Sequence, residues 1–67
     1  MFTVTQIRSV LSLTGSEMNL QGYFTCDEIR AALCRSTGKK VNGVQLTVFL
    51  NSAFERAPVQ GYYKVFA

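Results

Sequence analysis

Phe24-Thr25-Cys26-Asp27-Glu28-Ile29 opens a helix, Ser36-Thr37-Gly38 closes it, and Asn42-Gly43-Val44-Gln45 opens a second one shortly afterwards. Thr25 is placed as the N-cap, with Glu28 three residues on to complete a capping box and Phe24 positioned to staple onto Ile29. Gly38 ends the helix because glycine takes the left-handed position after a helix at little cost. Asn42 caps the next helix, which is expected to run to about Phe54. Between the two lies a tight turn carrying Lys39 and Lys40. Downstream, Val59-Gln60-Gly61-Tyr62 turns into the aromatic segment Tyr63-Lys64-Val65-Phe66, with Gly61 allowing the turn. Pro58 lacks an N–H and fits an edge strand or the position just before one.

Upstream, Phe2-Thr3-Val4-Thr5-Gln6-Ile7-Arg8 follows the same logic as Phe24 to Arg30: staple, Thr cap, Gln or Glu at the third helical position, Ile, then Arg. This is one capping solution used twice, since a stacked repeat would need a longer match and more copies. The first helix presents Ile7, Val10 and Leu11 on one side and extends toward Leu13 before Thr14-Gly15 ends it. Ser16 to Gly22 reads as a polar connection anchored by Met18 and Leu20, and Tyr23-Phe24 as a very short strand. In the second helix Cys26, Ile29, Ala32 and Leu33 form the apolar arc, leaving Asp27, Arg30, Ala31, Cys34 and Arg35 toward solvent. In the third helix Leu46, Phe49, Leu50, Ala53 and Phe54 gather on the core side. Its opposite side carries Val44, Thr47, Val48, Asn51, Ser52 and Glu55, with Gln45 and Arg56 at the edge.

Composition narrows the classes. With 67 residues, 48% hydrophobic and 16% charged, the chain reads as one small globular domain spanning 1–67 and not as a disordered segment. The net charge of +3 permits a polyanionic partner without demanding one. No apolar run approaches the roughly 20 residues that span a bilayer, and the first residues lack the layout of a secretion signal, so no membrane partner and a cytoplasmic location are expected. Cys26 and Cys34 lie about 12 Å apart along one helix, too far to bridge each other. With no His and no further cysteine pair, no metal site is expected. Nor does catalysis find support. There is no Gly-rich phosphate loop, and Asp27 and Glu28 sit in a first helical turn, where negative charge suits the helix dipole. The chain is therefore read as a non-enzyme without a cofactor.

A capped helix, a tight basic turn, a second helix and a terminal aromatic hairpin, with a short strand ahead of them, resemble the winged helix-turn-helix family over nearly the whole chain. The resemblance implies an α+β fold of three helices, a short strand and a C-terminal β-hairpin. It also implies a partner, because most members bind duplex DNA with the third helix in the major groove. Carried onto this sequence, Gln45 and Asn51 would pair with adenine, Thr47 and Ser52 would bond base edges or phosphate, and Val44 or Val48 would pack on a thymine methyl. Arg35, Lys39, Lys40, Arg56 and Lys64 would hold phosphates, with Asn42 at the mouth of the helix. A transcriptional regulator is the first expectation, working as a homodimer or bound cooperatively at adjacent half-sites, because one module this small buries little surface.

The sequence departs from the family pattern in one respect. Between Gly43 and Glu55 there is no Lys or Arg, and two valines occupy the exposed face. This favours a rival expectation: an adaptor or inhibitor that turns Val44, Val48, Tyr62 and Tyr63 toward a protein partner, as suits small accessory proteins of phages, plasmids and bacteria. The blander alternative is a solvated helix face beside a basic turn.

Overall fold

Each helix in residues 2–66, the part of the chain described by this computed structural model, starts at a polar side chain that accepts from the backbone. Thr3 Oγ1 accepts from Gln6 N at 3.0 Å and starts α1 (Val4–Val10). Ser16 Oγ accepts from Asn19 N at 3.3 Å and starts α2 (Glu17–Leu20). Thr25 Oγ1 accepts from Glu28 N at 3.1 Å, while Glu28 Oε1 accepts from Thr25 N at 2.9 Å, so the full capping box begins α3 (Cys26–Thr37). Asn42 Oδ1 takes both Val44 N at 2.9 Å and Gln45 N at 3.1 Å and begins α4 (Gly43–Ala53). These bonds satisfy amides that a helix start otherwise leaves unpaired.

Three short strands complete the structure: β1 (Tyr23–Thr25), β2 (Glu55–Arg56) and β3 (Tyr62–Lys64). They form an antiparallel sheet in the order β1-β3-β2, with Phe24 opposite Tyr63 and Arg56 opposite Tyr63 on the other side. The result is a small α+β fold with four helices and one three-stranded sheet among the described residues. Ile7, Ile29, Leu33, Leu46, Leu50 and Val65 are fully buried where the helices meet, and Phe24, Val41, Phe54 and Tyr63 close the core around them.

Gly22 shows how tightly the first strand is held. Its carbonyl accepts from both Val65 N at 3.0 Å and Phe66 N at 3.2 Å, and its φ is +87°. A Cβ there would lie 2.5 Å from the Phe66 carbonyl oxygen. Gly38 also has positive φ, +71°, and ends α3 by donating to Cys34 O at 2.9 Å, but open space surrounds it.

Several expectations are corrected. Among the described residues the helices number four, because Ser16 caps one turn, α2, inside the segment expected to be a polar connection. Its anchor is the buried Asn19, whose Nδ2 donates to Tyr23 O at 3.0 Å, whereas Leu20 is 59% exposed. α1 stops at Val10 instead of reaching toward Leu13, because Leu11 turns extended and keeps its side chain against the core. Gln6 does not complete a second capping box: its Oε1 is buried without a partner. Cys34 is half-buried against the core, and both thiols are free. Ala53 is exposed, since α4 presents Leu46, Leu50 and then Phe54 inward. Glu55 and Arg56 belong to β2 and not to the helix, because the backbone goes extended at Phe54 and pairs with β3.

Among the described residues no helix is long and apolar enough to cross a membrane.

Candidate functional site

α4 turns one face away from the core, and its pattern follows from helical spacing. At about 100° per residue, Val44, Val48 and Asn51 fall on one stripe, with Gln45 and Ser52 to one side and Thr47 to the other. The stripe is apolar at its start and polar at its end. Val44 is 74% exposed and Val48 65%, which is unusual for two β-branched residues so close together. Beside them runs an open groove of about 980 Å³ between α3 and α4, lined by Cys26, Asp27, Arg30, Lys40, Val41, Asn42, Gly43, Val44, Thr47 and Val48.

The two hydroxyls on this helix are turned back onto its own backbone. Thr47 Oγ1 donates to Gly43 O at 2.8 Å and lies 3.3 Å from Cys26 Sγ, and Ser52 Oγ donates to Phe49 O at 3.0 Å. Such bonds back onto the preceding turn use the hydroxyl proton, so each oxygen can offer an outside partner only acceptor capacity. Asn42 likewise spends its oxygen on the helix cap. Gln45 is exposed at the helix start.

Asn51 has a different environment. Its Oδ1 accepts from Tyr63 Oη at 2.8 Å and from Arg56 Nη2 at 3.1 Å, tying α4 to β3 and β2. Arg56 lies over the Tyr63 ring with its guanidinium carbon 5.0 Å from the centroid, a cation–π contact that fixes the guanidinium beside the helix end. Asn51 and Arg56 are themselves exposed.

The expected basic residues do not all converge. Lys40 lines the groove and Lys39 is exposed in the same turn. Arg56 stands at the far end of the α4 stripe. Arg35, in contrast, lines a hollow between α1 and α3 with Val10, Leu11 and Glu28, and Lys64 lines another with Arg8, Ala53, Phe54 and Glu55. Tyr63 is only 4% exposed, so it is a core residue and cannot be a protein-contact residue as expected; Tyr62 is half-buried. Alternation along β3 explains this, because Tyr63 points inward while Tyr62 and Lys64 point away from it.

Sequence reading overlooked Arg30. Its Nε donates to Val41 O at 2.9 Å, which holds the guanidinium against the turn and along the groove wall with Lys40. Spacing on α3 marked it only as solvent-facing; the turn that leads into α4, through its bond to Val41 O, brings it to the groove.

No group of three or more His, Cys, Asp or Glu that could hold a metal occurs among the described residues. No protein-family model matches this chain, and comparison with curated proteins and with solved structures also gives no match.

Proposed function

We propose that this protein is a small winged helix-turn-helix module that binds duplex DNA as a transcriptional regulator, with α4 in the major groove. The observation that carries the reading is the arrangement of α3, a short basic turn and α4, followed directly by the β2–β3 hairpin, with β3 between β2 and a strand that precedes α3. One face of α4, with Val44 and Val48, is left uncovered among the described residues. A B-form major groove is about 12 Å wide and accepts a helix, and α4 has no acidic side chain along its length to oppose entry.

Lys39 and Lys40 in the turn, Arg30 in the groove wall and Arg56 at the helix end would hold phosphates on either side of that face. Val44 and Val48 would meet thymine methyls, and Gln45 would read an adenine. Arg35 and Lys64 lie on other surfaces and would be peripheral. Pairing of two copies on adjacent half-sites would supply the area that one module lacks. The test is fluorescence anisotropy with a randomised duplex across a salt series. Four phosphate contacts give a log-log slope of about −3.6. Absence of binding even at low ionic strength would remove the DNA reading.

One observation favours a second reading. Two exposed valines beside an open groove suit an apolar contact better than an electrostatic one, and an adaptor or inhibitor would use Val44 and Val48 against a protein. The Val48→Asp variant separates the two: it would strand a charge at the centre of a protein interface and abolish such a complex.

A further inference from the structure

The Asn51 side chain reverses the role that a helix-borne amide usually takes. A carbonyl oxygen of this kind has two lone pairs, and here one accepts from Tyr63 Oη at 2.8 Å and the other from Arg56 Nη2 at 3.1 Å. The orientation of the amide is dictated by chemistry, because a guanidinium has no acceptor and only the oxygen can face Arg56. Pairing with adenine needs both ends of the amide: N–H to N7 and the oxygen to the N6 amino group. At Asn51 the second half is already spent. What remains outward is the Nδ2 amino group, alongside those Arg56 N–H groups that Asn51 does not engage.

We infer that Asn51 and Arg56, held by the buried Tyr63 hydroxyl, form a donor-only contact point at the end of the α4 stripe that takes an acceptor-only group of DNA and refuses adenine. Two parts of a duplex have that chemistry: the O6/N7 edge of guanine in the major groove, and the oxygens of a backbone phosphate. Tyr63 is a positioning residue, acting through the amide it orients. The inference rests on the DNA reading above and sharpens it. The exposed face of α4 then runs from an apolar half at Val44 and Val48 to a donor half at Asn51 and Arg56.

The test selects bound duplexes from a randomised pool with the full chain and compares the wild type with Asn51→Asp. The carboxylate keeps two oxygens for Tyr63 and Arg56 but removes the two outward N–H donors of the amide, so circular dichroism and melting stay native-like while affinity falls about tenfold or more. Unchanged affinity of Asn51→Asp overturns the inference. So does a wild-type pool enriched in adenine at a position where Asn51→Ala relaxes the preference. If the contact is a base, guanine is enriched at one position and 7-deazaguanine there weakens binding. Freeing the oxygen with Tyr63→Phe and Arg56→Ala together then admits adenine at that position, and failure to do so refutes the role of Tyr63. If the contact is a phosphate, no base is enriched there, a methylphosphonate at one linkage weakens binding, and Arg56→Ala lowers the salt slope by about 1.

A pool that binds at no salt concentration would end the DNA reading alone. Titration with inorganic phosphate, followed by NMR at the Asn51 side-chain amide and Arg56 Nε, then decides the contact point. Shifts in the wild type that vanish in Asn51→Asp support it, and no shift in the wild type overturns it.

Discussion

Replacing Gly22 by Ala tests how the N-terminal strand is fastened to the end of the chain. The residue sits at φ +87°, where an L-residue is strained by about 1–2 kcal/mol. Strain is the smaller part of the expected loss. The new Cβ would stand 2.5 Å from the Phe66 carbonyl oxygen and 2.9 Å from its Cβ, so backbone must move on one side or the other. The Gly22 carbonyl accepts from Val65 N and Phe66 N, and moving it weakens two hydrogen bonds worth about 1 kcal/mol each. Together these terms predict a loss of about 3 kcal/mol, against a total stability of about 3–10 kcal/mol for a chain of this length. Gly38 supplies the internal control. It has similar backbone geometry, φ +71°, but nothing within 4 Å of the site of a new Cβ, so Gly38→Ala should lose about 1 kcal/mol from strain alone. Thermal melts followed by circular dichroism should show Tm falling by about 5 °C for Gly38→Ala and about 15 °C for Gly22→Ala. Equal shifts for the two variants would refute the close approach of Gly22 to Phe66, and with it the fastening of β1 to β3 at that end.

Three further outcomes are expected. Leu50→Ala, at a fully buried position of α4, should cost about 2–5 kcal/mol in urea denaturation, whereas Thr25→Ala, which removes one cap, should cost about 1 kcal/mol; a reversed order of midpoints would contradict the register of α4. Changing Lys39 and Lys40 together to Glu should weaken binding to all duplex sequences about equally and flatten the salt dependence with helical content unchanged, as anisotropy and circular dichroism will show; unaltered affinity means that the turn touches no phosphate. In a lysate pull-down with nuclease treatment, Val48→Asp should leave the captured proteins unchanged if the exposed face of α4 meets DNA, and loss of one discrete partner would establish the adaptor reading instead.

The elements set by neighbours along the chain could be read from the sequence. Thr3, Thr25 and Asn42 act as caps through side chains that bond amides two or three residues away, and Gly38 supplies a left-handed residue at the helix end, so the residues involved are close together in the sequence. The inward arc of Ile29, Ala32 and Leu33 and the inward side of Leu46 and Leu50 follow from helical periodicity in the same way. Even α2 carried its signal, Ser16 with an acidic first turn, although one turn is too short for periodicity to reveal it.

What depended on distant contacts could not be read. Residues 54 to 56 continue the helical spacing, and only pairing with β3 across the hairpin draws Glu55 and Arg56 out of α4 into a strand. Alternation along the terminal hairpin marks one of its faces as core, and only the sheet packed against the helices decides that Tyr63 lies on it. The state of Asn51 is decided most completely by tertiary structure. Its amide meets Tyr63 and Arg56 only when α4, β2 and β3 assemble, and those two bonds determine whether it presents an acceptor or only donors. Local rules determine where chain segments begin, end and face, because the interacting groups are a few residues apart. Which hydrogen-bonding capacity remains free for a partner is determined by groups that only the folded structure brings within hydrogen-bonding distance of one another.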